Sequence, residues 1–296
     1  MRTDMYDDWK GDAARVQART GVRIAAREIG DSEYKHALKD AYQNAQREQW
    51  SHWLGKSFLT LLEQKTGAKR DTSMPECEIT FDVKNKDAHT PAALVAFACR
   101  ALEKHDYITD NAHVQAEVSQ HDAFDGFGRQ NAEQDTRAQM RRVVMQTPNG
   151  IILKEKSYGN QAPHNGITAR FENERTIGTD ELVNTLGSMM GEWKYLGWWK
   201  ETSASQRIAD PRDRRVYCIA VDEVVPYGRG APLYRLEVEY LYSFPLTIGA
   251  SLHKEATHDV LERLVHIDTY LRDEDSPLAQ MLTLATRSKA NLLRGR

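Results

Sequence analysis

From Glu76 to Phe244 the chain is written mostly in strand-forming residues, and charged residues recur in the middle of those strands. The segments "ECEITFDV" (76–83), "HVQAEV" (113–118), "MRRVVMQT" (140–147), "GIILKEKSY" (150–158), "GITARFENERTI" (166–177), "LGWWKETSASQRI" (196–208), "RRVYCIAVDEVV" (214–225) and "LYRLEVEYLYSF" (233–244) are rich in β-branched and aromatic residues. Polar turns separate several of them, as in "TPNG" at 147–150, "APHNG" at 162–166 and "DPRD" at 210–213. About eight strands with short hairpins predict an antiparallel barrel or strongly curved sheet.

Helical patterns flank and interrupt this β region. Apolar residues recur at three and four over 32–66, so that Tyr34, Tyr42, Trp50, Trp53 and Phe58 make a packing face. "TPAALVAFACRALEKH" (90–105) reads as a helix with Thr90 as N-cap and Pro91 at its first position. A second helix is expected over 179–193, and the tail from His253 to Leu293 returns to helices, broken near "DEDSPL". The expected organisation is α+β: a helical segment over 1–74, an eight-stranded antiparallel β tunnel over 75–245, and C-terminal helices over 246–296 packing on it.

A net charge of −3 over 296 residues offers no global attraction for nucleic acid, although a locally basic channel is compatible with it. Cys77, Cys99 and Cys218 are widely spaced and odd in number, which points away from a disulfide framework or a thiolate zinc site and toward a reducing compartment. No apolar run reaches the 18 or so residues of a membrane span, and the first residues lack the apolar core of a signal peptide, so a cytoplasmic or nuclear location is expected. The P-loop, dinucleotide-binding, H-E-x-x-H and G-x-S-x-G patterns are absent from the sequence, and "QHDAFDGFG" (120–128), with His121, Asp122 and Asp125, reads as a polar turn.

The mid-strand charges carry the functional signal. Glu237 and Glu239 lie two apart on the last strand and Glu76 and Glu78 two apart on the first, so each pair shares one face. Unpartnered acids side by side are costly to bury, so such pairs belong in water or beside a cation. Between them come Arg141 and Arg142, Lys154 and Lys156, Arg170, Glu172 and Glu174, Lys200, Arg207, Arg214 and Arg215, and Asp222. Facing outward, these make a charged surface with cross-strand ion pairs. Facing inward, they suit a polyanion carrying Mg²⁺ or Mn²⁺: Arg and Lys for phosphate oxygens, carboxylates for the hard cation.

The ordered set "ECEITF", "MRRVV", "ILKEK", "RFENE", "WWKET", "RRVYCIAVDEV" and "RLEVEY" resembles the pattern of the triphosphate tunnel metalloenzymes, which include CYTH-domain proteins and the fungal and viral type of RNA triphosphatase, over about residues 75 to 242. Two positions depart from it: Thr80 stands where the CYTH form has a lysine after the first acidic pair, and "KET" replaces the expected K-x-R around Lys200.

The resemblance implies an eight-stranded antiparallel tunnel that binds a triphosphate end to end. It implies Glu76, Glu78, Glu237 and Glu239 as ligands of Mg²⁺ or Mn²⁺, with Glu172 or Glu174 as a further acid. It implies Arg141 or Arg142, Lys154, Lys156, Arg170, Lys200 and Arg215 as phosphate-binding residues of a cationic tunnel. The expected activity is metal-dependent removal of the terminal phosphate from an RNA 5′-triphosphate end, a nucleoside triphosphate or inorganic tripolyphosphate. A CYTH-type adenylyl cyclase and a non-catalytic polyphosphate-binding or docking module are the alternatives.

Overall fold

The computed structural model describes residues 59–60, 63–64, 67–69, 75–84, 89–110, 114–131, 134–157, 167–226, 232–244, 257–276, 278–285 and 289. The helix expected over 32–66 and the segment assigned to 1–74 lie, apart from a few positions between 59 and 69, outside the described residues, as does most of the tail beyond 285.

The strands are β1 (Glu76–Val83), β2 (Ile108–Thr109), β3 (Gln115–Asn131), β4 (Gln134–Thr147), β5 (Gly150–Ser157), β6 (Ile167–Ile177), β7 (Lys194–Asp210), β8 (Arg215–Pro226), β9 (Leu233–Ser243) and β10 (Leu282–Leu284). The helices are α1 (Pro91–Glu103), α2 (Thr179–Glu192) and α3 (Thr257–Leu271). Strand order runs β1-β6-β5-β4-β3-β7-β8-β9, and β9 pairs back onto β1, so eight antiparallel strands close into a barrel. The short strands β2 and β10 extend the sheet on β7 and β1. Closure removes the unpaired edges that an open sheet would expose.

Two expectations give way. "QHDAFDGFG" is not a turn but the middle of β3, a strand of 17 residues. Its luminal side is made of small and polar residues, so it lacks the apolar alternation that marks a half-buried strand. "LTL" at 282–284 is β10 rather than helix, because the backbone of Phe81–Val83 pairs with it and ladder bonds override local preference.

Most of the apolar core lies outside the barrel wall, while a smaller cluster of Ala123, Val143, Trp199 and Val224 lies on the inner face. Cys77, Ile79 and Phe81 of β1, Tyr217, Ile219 and Val221 of β8, and Leu236, Val238 and Tyr240 of β9 pack in one cluster with Leu94, Val95, Ala98 and Leu102 of α1 and with Val260, Leu264, Ile267 and Leu271 of α3. The helical residues recur at three and four, which gives each helix one apolar stripe for the sheet. At the start of α1 the Thr90 hydroxyl accepts from the Ala93 amide at 3.3 Å, with Pro91 next in line, as expected. A second outer cluster places Met189 of α2 over Phe124, Val144, Leu153 and Ile177. Each apolar strand face therefore has a helix to cover it, and the other face is left to the lumen.

Gly126 on β3 marks where that outer cover is tightest. A Cβ there would stand 2.6 and 2.8 Å from Cε3 and Cε2 of the Trp193 indole, closer than side-chain carbons approach. Gly126→Ala is expected to destabilise the protein by about 1–3 kcal/mol through forced displacement of the indole, measured as a shift in the denaturant midpoint at unchanged slope.

Candidate active site

Residues directly opposite in a β ladder share a face, so the registers carry one face around the whole ring. Glu78 stands opposite Glu239 on β9 and Thr168 on β6. One route continues from Glu239 to Cys218, from Cys218 to Arg207, and along β7 to Glu201, which faces Ser119 on β3. The other runs from Arg170 along β6 to Glu172 and Glu174, opposite Lys156 and Lys154, then to Arg141 and to Asp125 on β3. Both routes arrive on the odd-numbered face of β3, and the ring closes without a change of face. Since Cys77, Ile79 and Phe81 lie under the helices, this shared face looks into the tunnel.

The luminal charges are paired. The Arg170 guanidinium spans the first acidic pair, donating from Nε to Glu76 at 2.8 Å and from Nη1 and Nη2 to Glu78 at 2.7 and 3.0 Å. Thr168 donates to Glu78 at 3.2 Å. Lys156 lies 2.7 Å from Glu172, while Lys154 lies 3.3 Å from Glu172 and 2.8 Å from Glu174. Arg141, itself 4 % exposed, is held by Asp125 at 2.7 Å. Across the lumen, the Lys289 ammonium bonds to Asp222 and lies 3.3 Å from Glu201 and 3.4 Å from Glu237. The Trp199 indole also donates to Glu201, at 3.0 Å. His121 shares a 2.8 Å hydrogen bond with Ser119 and stacks on Trp199, with ring centroids 4.9 Å apart.

Burial and crowding redistribute the protons. Burial, reinforced by Glu239 and Glu78, pushes the Glu76 carboxyl up to about 8 against the pull of Arg170 and Lys156, and its proton serves a hydrogen bond to Glu172. Burial also works against the charge of Glu78 and Glu172, but it is outweighed: Arg170, Lys156 and Lys289 hold Glu78 below the ordinary value, and Lys156, Lys154 and Arg170 hold Glu172 far below it. Burial, with Glu201 and Glu237 nearby, raises Asp222 to about 7. Burial lowers His121 to about 4, so its imidazole is neutral near pH 7 and its approach to Glu201 is not an ion pair.

Among the described residues Glu76, Glu78, Glu172, Glu174, Glu201, Asp222, Glu237 and Glu239 share the lumen with Lys154, Lys156, Arg170 and Lys289, while Arg141, Arg207 and Arg235 on the same face are paired with Asp125, Asp110 and Asp82. The expected cationic tunnel is thus acid-rich. In kind, this donor set fits a hard divalent ion: it has oxygen ligands in excess, and burial raises two of its carboxyls, Glu76 to about 8 and Asp222 to about 7, in spite of the cations beside them. Among the described residues no three acidic, imidazole or thiol groups converge closely enough to hold an ion unaided. Mg²⁺ seldom needs such a cage, since one or two carboxylates, waters and phosphate oxygens hold it.

The registers place Glu76, Glu78, Glu172, Glu237, Glu239, Arg141, Lys154, Lys156 and Arg170 on the luminal face. Three expected phosphate binders lie elsewhere. Arg142 points outward, bonded to Glu155 at 2.6 Å and lying 4.4 Å from the centre of the Trp193 ring. Lys200 is exposed on the outer face of β7, opposite Gln120 and Val225. Arg215 is also on the outer side, donating to Asp213 at 2.6 Å beside Arg263 of α3. In each case a one-residue difference of register decides the direction, and local sequence does not contain it. Luminal residues outside the expected set include His121, Asp125, Trp199, Glu201, Asp222 and Lys289, and Asp82 with Arg235. Asp222 was visible as a mid-strand acid, and Glu201 sits next to Lys200 in "KET", one residue away from the face expected. Nothing local marks Lys289.

The chain folds as a closed eight-stranded antiparallel tunnel. No protein-family profile and no curated protein matches it. Among solved structures it is similar to a candidate adenylyl cyclase from Hippeastrum for which a dominant triphosphatase activity is described (18 % identity, 74 % of this chain and 95 % of that one, TM-score 0.43). It is similar also to the PH1819 protein of Pyrococcus horikoshii OT3 (14 % identity, 74 % and 99 %, TM-score 0.40). A third is a candidate adenylate cyclase of Bacillus halodurans (11 % identity, 74 % and 96 %, TM-score 0.35).

Glu76 and Asp222 retain protons in the fold that they give up in the unfolded chain near neutral pH. Metal-free protein should therefore lose stability as pH rises from about 5 to about 8, by up to about 1.4 kcal/mol per pH unit for each retained proton. Glu76→Gln, neutral in both states, should flatten that slope in unfolding titrations at several pH values. An unchanged slope would remove the proton assigned to Glu76.

Proposed function

We propose that the chain is a divalent-metal-dependent phosphohydrolase that cleaves the terminal phosphoanhydride of a triphosphate: an RNA 5′ end, a nucleoside triphosphate or inorganic tripolyphosphate. The observation that carries this reading is the meeting of the two acidic pairs, Glu78 directly opposite Glu239, in one lumen with Lys154, Lys156 and Arg170. A cavity with carboxylates on one arc and primary cations on the next has partners for both components of a metal-bound polyphosphate.

Glu76, Glu78, Glu237 and Glu239 are the residues to hold Mg²⁺ or Mn²⁺, which when bound supplies charge neutralisation at the phosphate oxygens. Glu76 would give up its proton on becoming one of the carboxylates that hold the metal. Lys154, Lys156 and Arg170 are now bound to Glu172, Glu174, Glu76 and Glu78, and each exchanges part of that pairing for phosphate oxygens when substrate enters. Their role is to hold the chain of phosphates in line and to offset charge on the leaving oxygen, where most of the catalysis of phosphoryl transfer resides. In the hydrolysis a water oxygen bonds to the terminal phosphorus, the bridging P–O bond breaks, and a carboxylate of the Glu237–Glu239 pair accepts the water proton. Arg141 stays bound to Asp125 and shapes the wall.

Phosphate release from tripolyphosphate, ATP and triphosphate-ended RNA in Mg²⁺ or Mn²⁺ tests the reading. We expect activity on at least one, lost by about 100-fold or more in Glu239→Gln. Lys200→Ala and Arg142→Ala, which alter outer-face residues, should stay within about twofold of the parent. Folded protein inactive on all three substrates would overturn the hydrolase, and cyclic AMP formed from ATP in place of phosphate would make it a cyclase.

A further inference from the structure

Lys289 is a charge from the C-terminal segment set among carboxylates of the barrel. Its ammonium bonds to Asp222 of β8 and lies 3.3 Å from Glu201 of β7 and 3.4 Å from Glu237 of β9. These are three neighbouring strands of the ring. Its side chain is 17 % exposed, against 4 % for Asp222, 10 % for Glu201 and 22 % for Glu237, so the contact is enclosed rather than a rim pair. A lysine head group is a compact point charge with three donors and no acceptor, and here three carboxylates surround it. Among the described residues no other cation forms an ion pair with Asp222 or Glu237.

We infer that Lys289 is a tethered counter-ion of the tunnel, occupying the carboxylates that the divalent cation needs and displaced when that cation binds. The charges and ligand types carry this. Glu237 belongs to the acidic pair assigned to the metal, and it cannot give its charge to Lys289 and to a divalent ion in full at once. The ammonium has a single charge and no inner-sphere bonds to offer, so a dehydrated divalent ion outcompetes it for the same oxygens. Its tether keeps it at high local concentration when no metal is present. Lys289 thus keeps the acid wall satisfied in the empty tunnel and lowers the apparent metal affinity by the fraction of chains in which it is docked. Loading the tunnel and releasing this part of the C-terminal segment become one equilibrium, an autoinhibitory contact built into the fold. The inference rests on the metal-binding half of the reading above and not on hydrolysis.

Its test uses the full chain and Mn²⁺ alone. Trace acetylation with mass spectrometry should label Lys289 about tenfold more slowly than exposed Lys200 in metal-free protein, and at a rate near that of Lys200 once Mn²⁺ saturates. By calorimetry Lys289→Met should bind Mn²⁺ at least about tenfold more tightly than the parent. If the single variant is too unstable to purify, the same comparison between Glu201→Gln and Glu201→Gln with Lys289→Met leaves one unpaired acid fewer. Mn²⁺ bound by calorimetry while Lys289 stays protected would overturn the inference, as would equal affinities with and without Lys289. Absence of any Mn²⁺ binding would overturn it together with the metal assignment. Mn²⁺ binding with Lys289 released but no phosphate produced would leave it standing and count against the hydrolase alone.

Discussion

The barrel depends on each enclosed cation of its lumen being answered by a carboxylate. Arg170 ties β6 to β1 through Glu76 and Glu78, Lys154 and Lys156 tie β5 to β6 through Glu172 and Glu174, and Arg141 ties β4 to β3 through Asp125. Removing one partner of such a pair leaves an uncompensated charge, commonly worth about 3–5 kcal/mol. The apolar core is displaced accordingly. With much of the inner face given to charge, most hydrophobic burial occurs on the outer face, and α1, α2 and α3 supply the covering. The helices are thus a condition of the charged lumen rather than an addition to it.

The same pairing sets what the lumen accepts. Its cations are engaged with carboxylates and its acids outnumber them, so a bare polyanion meets no ready partner. On the proposed reading, an anion that arrives with divalent cations would fit better, because the surplus carboxylates would hold the metal and leave lysine and arginine to phosphate. Glu76, holding its proton at neutral pH, and Lys289, docked on Asp222, Glu201 and Glu237, are two stand-ins for charge that the empty tunnel lacks. One is a proton and the other a tethered ammonium, and in the proposed exchange both would give way to a divalent cation.

Much of this was legible in the chain. The eight barrel strands were visible as β-rich segments, and the two acidic pairs stood out because two-residue spacing puts both side chains on one face whatever that face proves to be. The same rule located Lys154 with Lys156 and Arg170 with Glu172. Where it failed, it failed by one residue: Arg142 beside Arg141 and Lys200 beside Glu201 are adjacent positions on opposite faces. His121 and Asp125 were taken for a turn because β3 carries a polar inner face, and polar alternation in a strand resembles loop composition. Lys289 had no periodicity to betray it, since its significance comes wholly from three acids distant in sequence.

The amino-acid sequence by itself determined most of the barrel strands, the hairpin turn at 147–150 and the charge pairs that share a face, because these depend on the two-residue repeat and on turn residues, which are local. Which face became the interior was decided only by closure of the ring. Once β9 pairs with β1, every register is bound to the next, and Glu78 opposite Glu239 fixes the direction of all the rest. The acid excess of the lumen, the proton on Glu76 and the place of Lys289 follow from that closure, since each is a sum over charges brought from separate strands into one space of low polarity.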